Sequence, residues 1–361
     1  MPPPTLRHLL VTGGAGFIGS CYVRDVLARR DGTRITVLDK LTYAGSRSNL
    51  ASVEGDPEMA ARFVFVQGDI ADDTAISGIV QGADAVVNFA AESHVDRSIL
   101  DPEAFLRTGV IGVHVLLEAV RRESAARTAA SRPAVRLLQV STDEVYGSIP
   151  EGRSREGDPL APRSPYSAAK AAGELLVASY VTTYGVDAVV TRGANTYGPF
   201  QHPEKLIPLF LTNALDDLPL PLYGDGLQRR DWLYVADHAG AIDHVLRHGA
   251  SGETYNLPGE AELPNREVVA ALLKGVDKPW SLVRRVEDRP GHDRRYAMDG
   301  SKVAALGWRN RTAFAEGLAT TIAWFRDNAA WWRAIKAGDW DAYYERQYAA
   351  RIAGGRPADA P

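Results

Sequence analysis

The amino-acid sequence predicts an α/β protein built on a doubly wound parallel sheet with helices on both faces. Short apolar runs rich in β-branched residues alternate with helical patterns through the first half of the chain, and a glycine-rich turn follows the first run. Strands that are apolar along their whole length are typical of a parallel sheet that is covered on both sides. The expected strands are His8–Val11, Ile35–Leu38, Phe63–Val66, Ala85–Phe89, Val135–Val140 and Ala188–Thr191.

Helices are predicted between these strands, because apolar residues recur there at helical spacing. The clearest patterns are Phe17–Arg29, Glu103–Arg127 and Pro165–Tyr184. After about Tyr197, proline and glycine become frequent, which indicates a smaller mixed domain with irregular connections.

The sequence therefore predicts a Rossmann-type domain over 5–196 and a smaller mixed C-terminal domain over 197–340. The strongly helical pattern at Asp231–Arg247 is expected to pack back onto the first domain, as residues 231–248. Residues 1–4 and 353–361 are expected to be mobile tails.

The composition excludes several classes of function. Lys and Arg number 41 against 45 Asp and Glu, so the net charge of −4 offers none of the basic excess that a nucleic-acid-binding protein needs. No apolar run approaches the roughly 20 residues of a membrane span. The N-terminus lacks a signal-peptide pattern, and the single cysteine, Cys21, allows no internal disulfide. We expect a cytoplasmic protein that binds neither nucleic acid, a membrane nor a metal ion, with Cys21 as a buried apolar side chain.

A dinucleotide site is predicted where the first strand runs into the segment Thr12–Gly19. Gly14, Gly16 and Gly19 satisfy G-x-G-x-x-G, and Gly13 gives a second, overlapping pattern. Glycines in this turn let backbone N–H groups approach a pyrophosphate at the start of a helix, although a tight turn without a ligand would look the same.

Two acids after the next strands refine this prediction. Asp39 ends the second strand, where a carboxylate accepts from both ribose hydroxyls and repels a 2′-phosphate, so NAD is favoured over NADP. Asp69 follows the third strand and could accept from the adenine amino group. Both residues could instead be ordinary turn formers.

A Tyr-x-x-x-Lys pattern, Tyr166 to Lys170, predicts a catalytic pair. Positions i and i+4 share one face of a helix. An ammonium group beside the phenol would lower the pKa of the tyrosine and make it usable as a base.

A second catalytic group is expected in the segment Ser141–Gly147, at the end of the strand Val135–Val140. The carboxyl ends of parallel strands face the ligand crevice, and two adjacent acids, Asp143 and Glu144, stand there. Like charges in a cleft are costly, but the cost is reasonable if one carboxyl group works protonated and the other ionised. An exposed acidic turn is the alternative interpretation.

Together, Thr12–Gly19, Ser141–Gly147 and Tyr166–Lys170 resemble the extended short-chain dehydrogenase/reductase superfamily, in its sugar-nucleotide branch. Further stretches are similar to those of the dTDP-glucose 4,6-dehydratases within that branch; these are Ala90–Ser98, Tyr197–Pro199, Pro203–Pro208, Leu222–Gly226, Arg230–Val235 and Asp288–Tyr296. The resemblance covers roughly residues 7 to 330.

The resemblance implies a reaction in which NAD is a bound catalyst. Tyr166 would take the proton of the glucose 4-hydroxyl while C4 gives its hydride to NAD⁺, and Thr142 would hydrogen-bond the 4-oxygen. Glu144 would then take the C5 proton, and Asp143 would protonate the departing C6 hydroxyl. The hydride would finally return to C6.

The resemblance also implies three sets of site residues. The catalytic set is Thr142, Asp143, Glu144, Tyr166 and Lys170. The cofactor set is Gly13, Gly16, Phe17, Ile18, Gly19, Asp39, Lys40, Leu41, Thr42, Asp69, Ile70, Ala90, Ala91, Ser93, Thr108, Val140, Tyr166, Lys170 and Asn195. The substrate set, for dTDP-glucose, is Ser93, His94, Thr142, Asn195, Glu204, Lys205, Leu206, Pro221, Tyr223, Arg230, Asn265, Arg289, His292 and Tyr296.

Two departures from the family pattern stand near the predicted crevice. The segment Arg192–Tyr197 reads Arg-Gly-Ala-Asn-Thr-Tyr, where relatives commonly have a Cys-Ser pair before the Asn and a second Asn after it. Gly109 stands where an Asn is common and is expected to distort its helix.

A homodimer is expected through the helices Glu103–Arg127 and Pro165–Tyr184. These helices carry long apolar stripes, and the family commonly pairs through them. The stripe residues are Val113, Leu116, Leu117, Val120, Leu175, Leu176 and Tyr180.

Three rival functions remain at this stage. A sugar-nucleotide 4-epimerase shares the fold, NAD and Tyr-x-x-x-Lys but needs no acid pair to eliminate water. A UDP-glucuronate decarboxylase needs no acid at the position of Asp143. An NAD-sensing regulatory or scaffold protein on the same fold would be expected to lack Tyr166, Lys170 or Glu144.

Overall fold

The computed structural model describes residues 6–259, 261–337 and 344–360. Its strands are β1 His8–Thr12, β2 Arg34–Asp39, β3 Phe63–Gln67, β4 Ala85–Asn88, β5 Arg136–Thr142, β6 Ala188–Gly193, β7 Asn195–Tyr197, β8 Leu220–Tyr223, β9 Arg229–Tyr234, β10 Thr254–Leu257, β11 Glu262–Pro264, β12 Val283–Val286 and β13 Arg356–Pro357.

The helices surround these strands. They are α1 Phe17–Ala28, α2 Ala51–Gly55, α3 Pro57–Ala60, α4 Asp73–Val80, α5 Val95–Leu100, α6 Pro102–Leu106, α7 Val113–Ala129, α8 Pro165–Tyr184, α9 Leu206–Leu215, α10 Val235–His248, α11 Asn265–Val276, α12 Ser301–Ala305, α13 Phe314–Asp327 and α14 Ala329–Lys336, with a last short helix at Ala350–Ala353. None of the helices in these described ranges has both the length and the apolar character needed to cross a bilayer.

Seven parallel strands form the central sheet, in the order β10-β6-β5-β4-β1-β2-β3. The strand order reverses between β1 and β4, which is where doubly wound sheets open a crevice at the carboxyl ends of their strands. The predicted fold class is confirmed, since β1 to β6 fall on the six expected apolar runs.

Each face of the sheet is covered by its own helices. On one face α1 packs beside α10, and the Tyr22 hydroxyl donates to Asp243 over 3.1 Å. On the other face α7 and α8 bury a second apolar cluster against the strands. Burial on both faces explains why the strands carry so few polar residues.

Smaller sheets build the C-terminal part. The strands β11, β9 and β7 form one three-stranded sheet, and β13, β12 and β8 form another. Their core holds apolar side chains of α9, α11, α13 and α14, including the fully buried Phe325 and Trp332. Trp331 and Tyr344 lie against the same core, whereas Tyr343 lies outside the described residues.

The prediction of a single helix over Asp231–Arg247 is wrong at its start. Residues 229–234 form β9, and only from Val235 does the chain become helical. The backbone of 231–234 finds its partners in β7 and β11, so tertiary pairing overrides the local helical pattern.

The predicted helix Glu103–Arg127 is broken where the glycine was noted. Between α6 and α7 the segment Arg107–Gly112 takes a wider π-helical turn. Gly109 lies directly on α8, because a Cβ built on Gly173 would stand 2.8 Å from the carbonyl oxygen of Gly109. The expected distortion therefore lets two helices approach closely.

The C-terminal tail is not free, contrary to our expectation for 353–361. Arg356 and Pro357 pair with the edge of β12, and Trp280 Nε1 donates to the carbonyl oxygen of Ala358 over 2.8 Å. An unpaired strand edge accepts such a segment readily. Residues 1–4 and 361 lie outside the described part of the chain.

The apolar stripe that we assigned to a dimer interface is mostly internal. Val113, Leu116, Leu117 and Val120 are buried against the sheet of their own chain, and Tyr180 is buried with them. Leu176 lies partly buried against the same cluster, and only Leu175 is exposed. The stripe was needed to cover the sheet and does not by itself indicate a second subunit.

Candidate active site

A cleft opens at the carboxyl ends of the central strands, and its floor is the glycine turn after β1. Gly13 has a positive φ of 69°, and a Cβ on Gly19 would collide with the carbonyl oxygen of Gly13. Glycine is therefore required at both positions. The turn leads into the N-terminus of α1, a geometry that suits a pyrophosphate.

Asp39 closes this turn from the end of β2. Its carboxylate accepts from the backbone N–H of Ala15 over 2.9 Å and from that of Leu41 over 2.8 Å. Burial raises the pKa of Asp39, while these two backbone bonds oppose the rise. Leu41 takes a left-handed conformation with φ 56°, and its side chain packs against the core.

Asp69 stands beside Asp39 at the end of β3. It pairs with Lys40 over 2.8 Å and accepts from the backbone N–H of Ala71 over 2.9 Å. These contacts overcome the effect of partial burial and lower the pKa of Asp69. The glycine cradle and the two acids fit an adenine dinucleotide, with the adenosine half above β2 and β3.

The acid pair lies at the far end of the cleft, on a short 3₁₀ turn that follows β5. The Thr142 hydroxyl accepts from the Glu144 backbone N–H over 3.3 Å and donates to Asp143 Oδ1 over 3.1 Å. Asp143 is 3% exposed, and its Oδ2 has no hydrogen-bond partner among the described residues. Both acids line the cleft, so an exposed acidic turn is ruled out.

Burial separates the behaviour of these two acids. Burial, followed by the neighbouring charge of Glu144, raises the pKa of Asp143 to about 8. Burial also raises the pKa of Glu144, but Arg289, Lys205 and Arg230 oppose the rise. At neutral pH the arrangement favours a protonated Asp143 beside an ionised Glu144.

Tyr166 and Lys170 lie on the first turns of α8, which begins with a capping box formed by Ser164 and Ser167 and with Pro165 as its first residue. Lys170 Nζ donates to the carbonyl oxygen of Val140 over 3.0 Å, and burial lowers the pKa of Lys170 to about 8. The start of α8 thus places both side chains at the carboxyl end of β5.

The expectation of a lowered pKa for Tyr166 is wrong for the protein alone. Burial raises the pKa of Tyr166, and Glu144 and Asp143 raise it further, although a hydrogen bond with Thr142 opposes them. The groups that act on the phenol are carboxyl groups, while Lys170 is held by Val140. A positive charge beside the phenol would lower this pKa and favour Tyr166 as a base.

A cluster of charges on the smaller domain faces the acid pair. Arg289 pairs with Asp96 over 2.6 Å, and the Tyr223 hydroxyl donates to the same carboxylate over 3.1 Å. Arg230 stacks on the ring of Tyr296, with 4.4 Å between the guanidinium carbon and the ring centre. These guanidinium groups suit phosphate oxygens.

Other predicted substrate residues lie around this cluster. Arg97 pairs with Glu204 over 2.7 Å, and Lys205 donates to the carbonyl oxygen of Ser93 over 2.5 Å. His292 contacts Asp288 over 2.6 Å.

Most of the predicted site residues line the cleft. The cleft-lining ones are Gly13, Gly16, Phe17, Ile18, Gly19, Asp39, Lys40, Thr42, Asp69, Ile70, Ala90, Ala91, Ser93, Thr108, Val140, Thr142, Asp143, Glu144, Tyr166, Lys170, Asn195, Lys205 and Leu206. The predicted residues outside its wall are Leu41, His94, Glu204, Pro221, Tyr223, Arg230, Asn265, Arg289, His292 and Tyr296.

The sequence analysis missed several polar residues of the cleft wall. They are Glu92, Ser141, Thr196, Gln201, His202, Trp232 and His238. Glu92, Ser141, Thr196 and Trp232 fall inside segments that were already singled out, and the position after each strand could have marked Glu92 and Ser141. His238 carries no such signal, because a lone histidine in a helix is most often structural. No cluster of three or more His, Cys, Asp or Glu side chains within 6–259, 261–337 and 344–360 could hold a metal ion.

The division of charge between the two acids predicts how pH acts on stability. A carboxyl group whose pKa is raised on folding stabilises the fold below its unfolded pKa of about 3.9 and loses that contribution as pH rises through the folded pKa. Replacing Asp143 with Asn removes this loss. We expect the free energy of unfolding of Asp143→Asn, relative to that of wild type, to increase by roughly a few kcal/mol as pH rises from about 4 to about 8.

Urea unfolding at pH 5 and at pH 8 measures this difference. Asp225→Asn is the control: Arg294 lowers the pKa of Asp225 to about 2, so this carboxylate is ionised in the folded and the unfolded chain throughout this range, and the difference between Asp225→Asn and wild type should not change between pH 5 and pH 8. A difference between Asp143→Asn and wild type that stays constant with pH would show that Asp143 does not titrate in this range.

Comparison with known proteins places the chain in a family. Residues 10–321 match the family model described as GDP-mannose 4,6 dehydratase. A dTDP-glucose 4,6-dehydratase of Streptomyces niveus is 50% identical over 337 residues, which cover 92% of this chain and 96% of the relative. The dTDP-glucose 4,6-dehydratase 1 of Escherichia coli K12 is 45% identical, covering 95% of this chain and 99% of its own.

Solved structures agree with this placement. DesIV, a dTDP-glucose 4,6-dehydratase from Streptomyces venezuelae solved with NAD bound, is 49% identical with a TM-score of 0.86, covering 91% of this chain and 100% of its own. A Thermus thermophilus UDP-glucose 4-epimerase in complex with NAD is 33% identical with a TM-score of 0.79, covering 89% and 99%. The chain belongs to the dTDP-glucose 4,6-dehydratase family.

Proposed function

We propose that this protein converts dTDP-glucose to dTDP-4-keto-6-deoxyglucose and water with NAD as a resident cofactor. The observation that carries the proposal is the buried pair Asp143 and Glu144 at the end of β5, next to Tyr166 on α8. Elimination of water needs a base and an acid close together, and burial prepares these two carboxyl groups for those opposite tasks.

The NAD site would run along the cleft. The backbone of Gly13–Gly19 would receive the pyrophosphate, Asp39 the adenosine ribose, and Lys170 the nicotinamide ribose. The cofactor supplies a reversible hydride acceptor that leaves the reaction in its starting state. Its oxidised ring would also supply a positive charge near the Tyr166 phenol, which would favour loss of the phenol proton.

Tyr166 then removes the proton of the 4-hydroxyl as the hydride leaves C4. The Thr142 hydroxyl, held at the end of β5, lies where it can hydrogen-bond the 4-oxygen and stabilise the developing carbonyl. The new 4-keto group makes the C5 proton acidic, and that acidity is what the acid pair exploits.

Glu144 removes the C5 proton as a carboxylate, and Asp143 gives its proton to the C6 hydroxyl, so one water leaves across C5 and C6. The hydride returns to C6, and a proton returns to C5. The sugar has then lost one water, and the proton that Tyr166 took from the 4-hydroxyl must pass through solvent to Asp143 before the next turnover.

The smaller domain would hold the nucleotide diphosphate. Arg230, Arg289 and Lys205 face Glu144 closely enough to affect its pKa. They are proposed to bind the diphosphate, with Tyr223 and Glu204 nearer the thymine. A diphosphate seated there places its sugar over the acid pair.

The rival functions are disfavoured by the same observations. A 4-epimerase would also bind NAD in this fold, but it has no use for a protonated acid at position 143. A decarboxylase is disfavoured for the same reason. A regulatory protein would not be expected to retain the complete set Thr142, Asp143, Glu144, Tyr166 and Lys170.

We further propose a cytoplasmic homodimer. The support is an exposed apolar patch on α8 and the π-helical turn beside it, where Leu175 is 62% and Ile111 is 52% exposed, with Tyr184 also exposed. An isologous contact would pair these helices with their copies in a second subunit. Cys21 is partly buried and burial raises its pKa to about 11, which suits a protein that forms no disulfide.

The proposed function is tested by incubation with dTDP-glucose, followed by mass analysis of the product and by stopped-flow absorbance of NADH. Wild type should release a product lighter by one water. Tyr166→Phe should form no NADH, because the first oxidation lacks its base. Glu144→Gln should still form NADH transiently but dehydrate roughly 10²–10⁴-fold more slowly.

Tyr180→Phe is the matched control on the same helix. Its hydroxyl donates to Glu118 outside the cleft, so the kinetics should stay at the wild-type level. A wild-type product of unchanged mass would refute the dehydratase. Dehydration at the wild-type rate in Glu144→Gln would show that Glu144 is not the base, and it would favour the epimerase function.

Charged substitutions at the centre of the proposed interface test the dimer. Ile111→Glu combined with Leu175→Glu should give a monomer in sedimentation at micromolar concentration, because two buried charges would have no partner. Val64→Glu is the control, since Val64 is an equally exposed apolar residue, 55% accessible, on the distant strand β3. A monomeric wild type would contradict the proposal.

A further inference from the structure

The cleft contains one buried imidazole that the proposed mechanism does not use. His238 lies on the first turn of α10 and is 2% exposed, yet its ring lines the cleft. Its Nε2 has no hydrogen-bond partner among the described residues. A buried polar atom without a partner is costly, so it points to a group that binds there.

A glycine makes room for this ring. A Cβ built on Gly193 would lie 2.5 Å from His238 Nε2, so no side chain fits at position 193 while the imidazole holds this place. Gly193 ends β6 and is the register partner of Thr142 on β5. The imidazole therefore stands one strand away from the end of β5 that carries Thr142.

The hydrogen bonds of Thr196 favour one tautomer of His238. The Thr196 hydroxyl donates its one proton to the carbonyl oxygen of Ala194 over 3.1 Å and lies 2.7 Å from His238 Nδ1. The hydroxyl oxygen must then accept from Nδ1–H. Burial lowers the pKa of His238 to about 3, so the ring is neutral and Nε2 is a bare acceptor.

The position of His238 identifies its partner by chemistry. The adenosine half of the dinucleotide belongs above β2 and β3, so the part that reaches β5 and β6 is the nicotinamide. Its carboxamide carries the ring's N–H donors. His238 reaches the cleft from α10, on the face shared with α1, whereas Arg230 and Arg289 belong to the smaller domain.

We propose that His238 Nε2 accepts a hydrogen bond from the nicotinamide carboxamide and that Gly193 and Thr196 serve to place it. His238 would thus orient the nicotinamide face toward the sugar. This inference rests on the NAD site of the proposed function and adds to it a cofactor contact on α10.

The test compares NAD with 3-acetylpyridine adenine dinucleotide, which has a methyl group in place of the carboxamide NH₂. Each dinucleotide displaces NADH from the purified protein, and NADH fluorescence reports the relative affinities. Wild type should prefer NAD, and His238→Leu should reduce that preference roughly ten-fold, the effect of about one unmade hydrogen bond. His238→Gln should restore part of it, since its amide oxygen can also accept.

His244→Gln is the matched control, because His244 lies on the same helix but contacts the carbonyl oxygen of Leu306 outside the cleft. It should leave the preference unchanged. If His238→Leu weakens both dinucleotides equally, or neither, the inference is overturned, and His238 serves only packing or the sugar hydroxyls. If wild type binds no dinucleotide, the proposed function falls together with this inference.

Discussion

The burial of Asp143 beside the partly buried carboxyl group of Glu144, at the end of β5, is the constraint on which the rest of the site depends. In water both Asp143 and Glu144 would be ionised, but a buried pair cannot carry two charges cheaply. The fold meets this cost in two ways. Asp143 gives up its charge, because burial and the charge of Glu144 raise its pKa more than the Thr142 hydrogen bond lowers it, and the cations of the smaller domain face Glu144 and oppose the rise of its pKa. The pKa values of the pair therefore separate, and the smaller domain becomes part of the electrostatics of the site as well as its proposed substrate face.

The same constraint acts on the tyrosine. Burial, and then the charges of Glu144 and Asp143, raise the pKa of the Tyr166 phenol, so the protein alone holds it protonated. Lys170 donates to the carbonyl oxygen of Val140. In the proposed function, the positive charge of the oxidised nicotinamide would lower the pKa of this phenol, so the bound cofactor would help to prepare the base of the first step.

Sequence reasoning located the elements whose signals are local. The apolar runs, the glycine turn and the acid pair can each be recognised from a few consecutive residues. The predicted strand before the glycine turn and the acid pair supplied the context. It failed where distant segments decide the outcome. Residues 231–234 become a strand because β7 and β11 flank them, and the tail is ordered because β12 offers an edge. The stripe on α7 could not be divided into sheet-facing and free residues without the sheet. Nor could a lone histidine on α10 be linked to Gly193, since that contact exists only once β6 and α10 have packed.

We expect burial to keep Asp143 protonated beside an ionised Glu144 at neutral pH. Infrared difference spectroscopy tests it most directly, by comparing wild type with Asp143→Asn across a pH series. We predict that wild type shows the C=O stretch of a protonated carboxylic acid at pH 7, that the band is absent in Asp143→Asn, and that it fades in wild type as pH rises past about 8. The absence of such a band at pH 7, or its persistence in Asp143→Asn, would contradict the account.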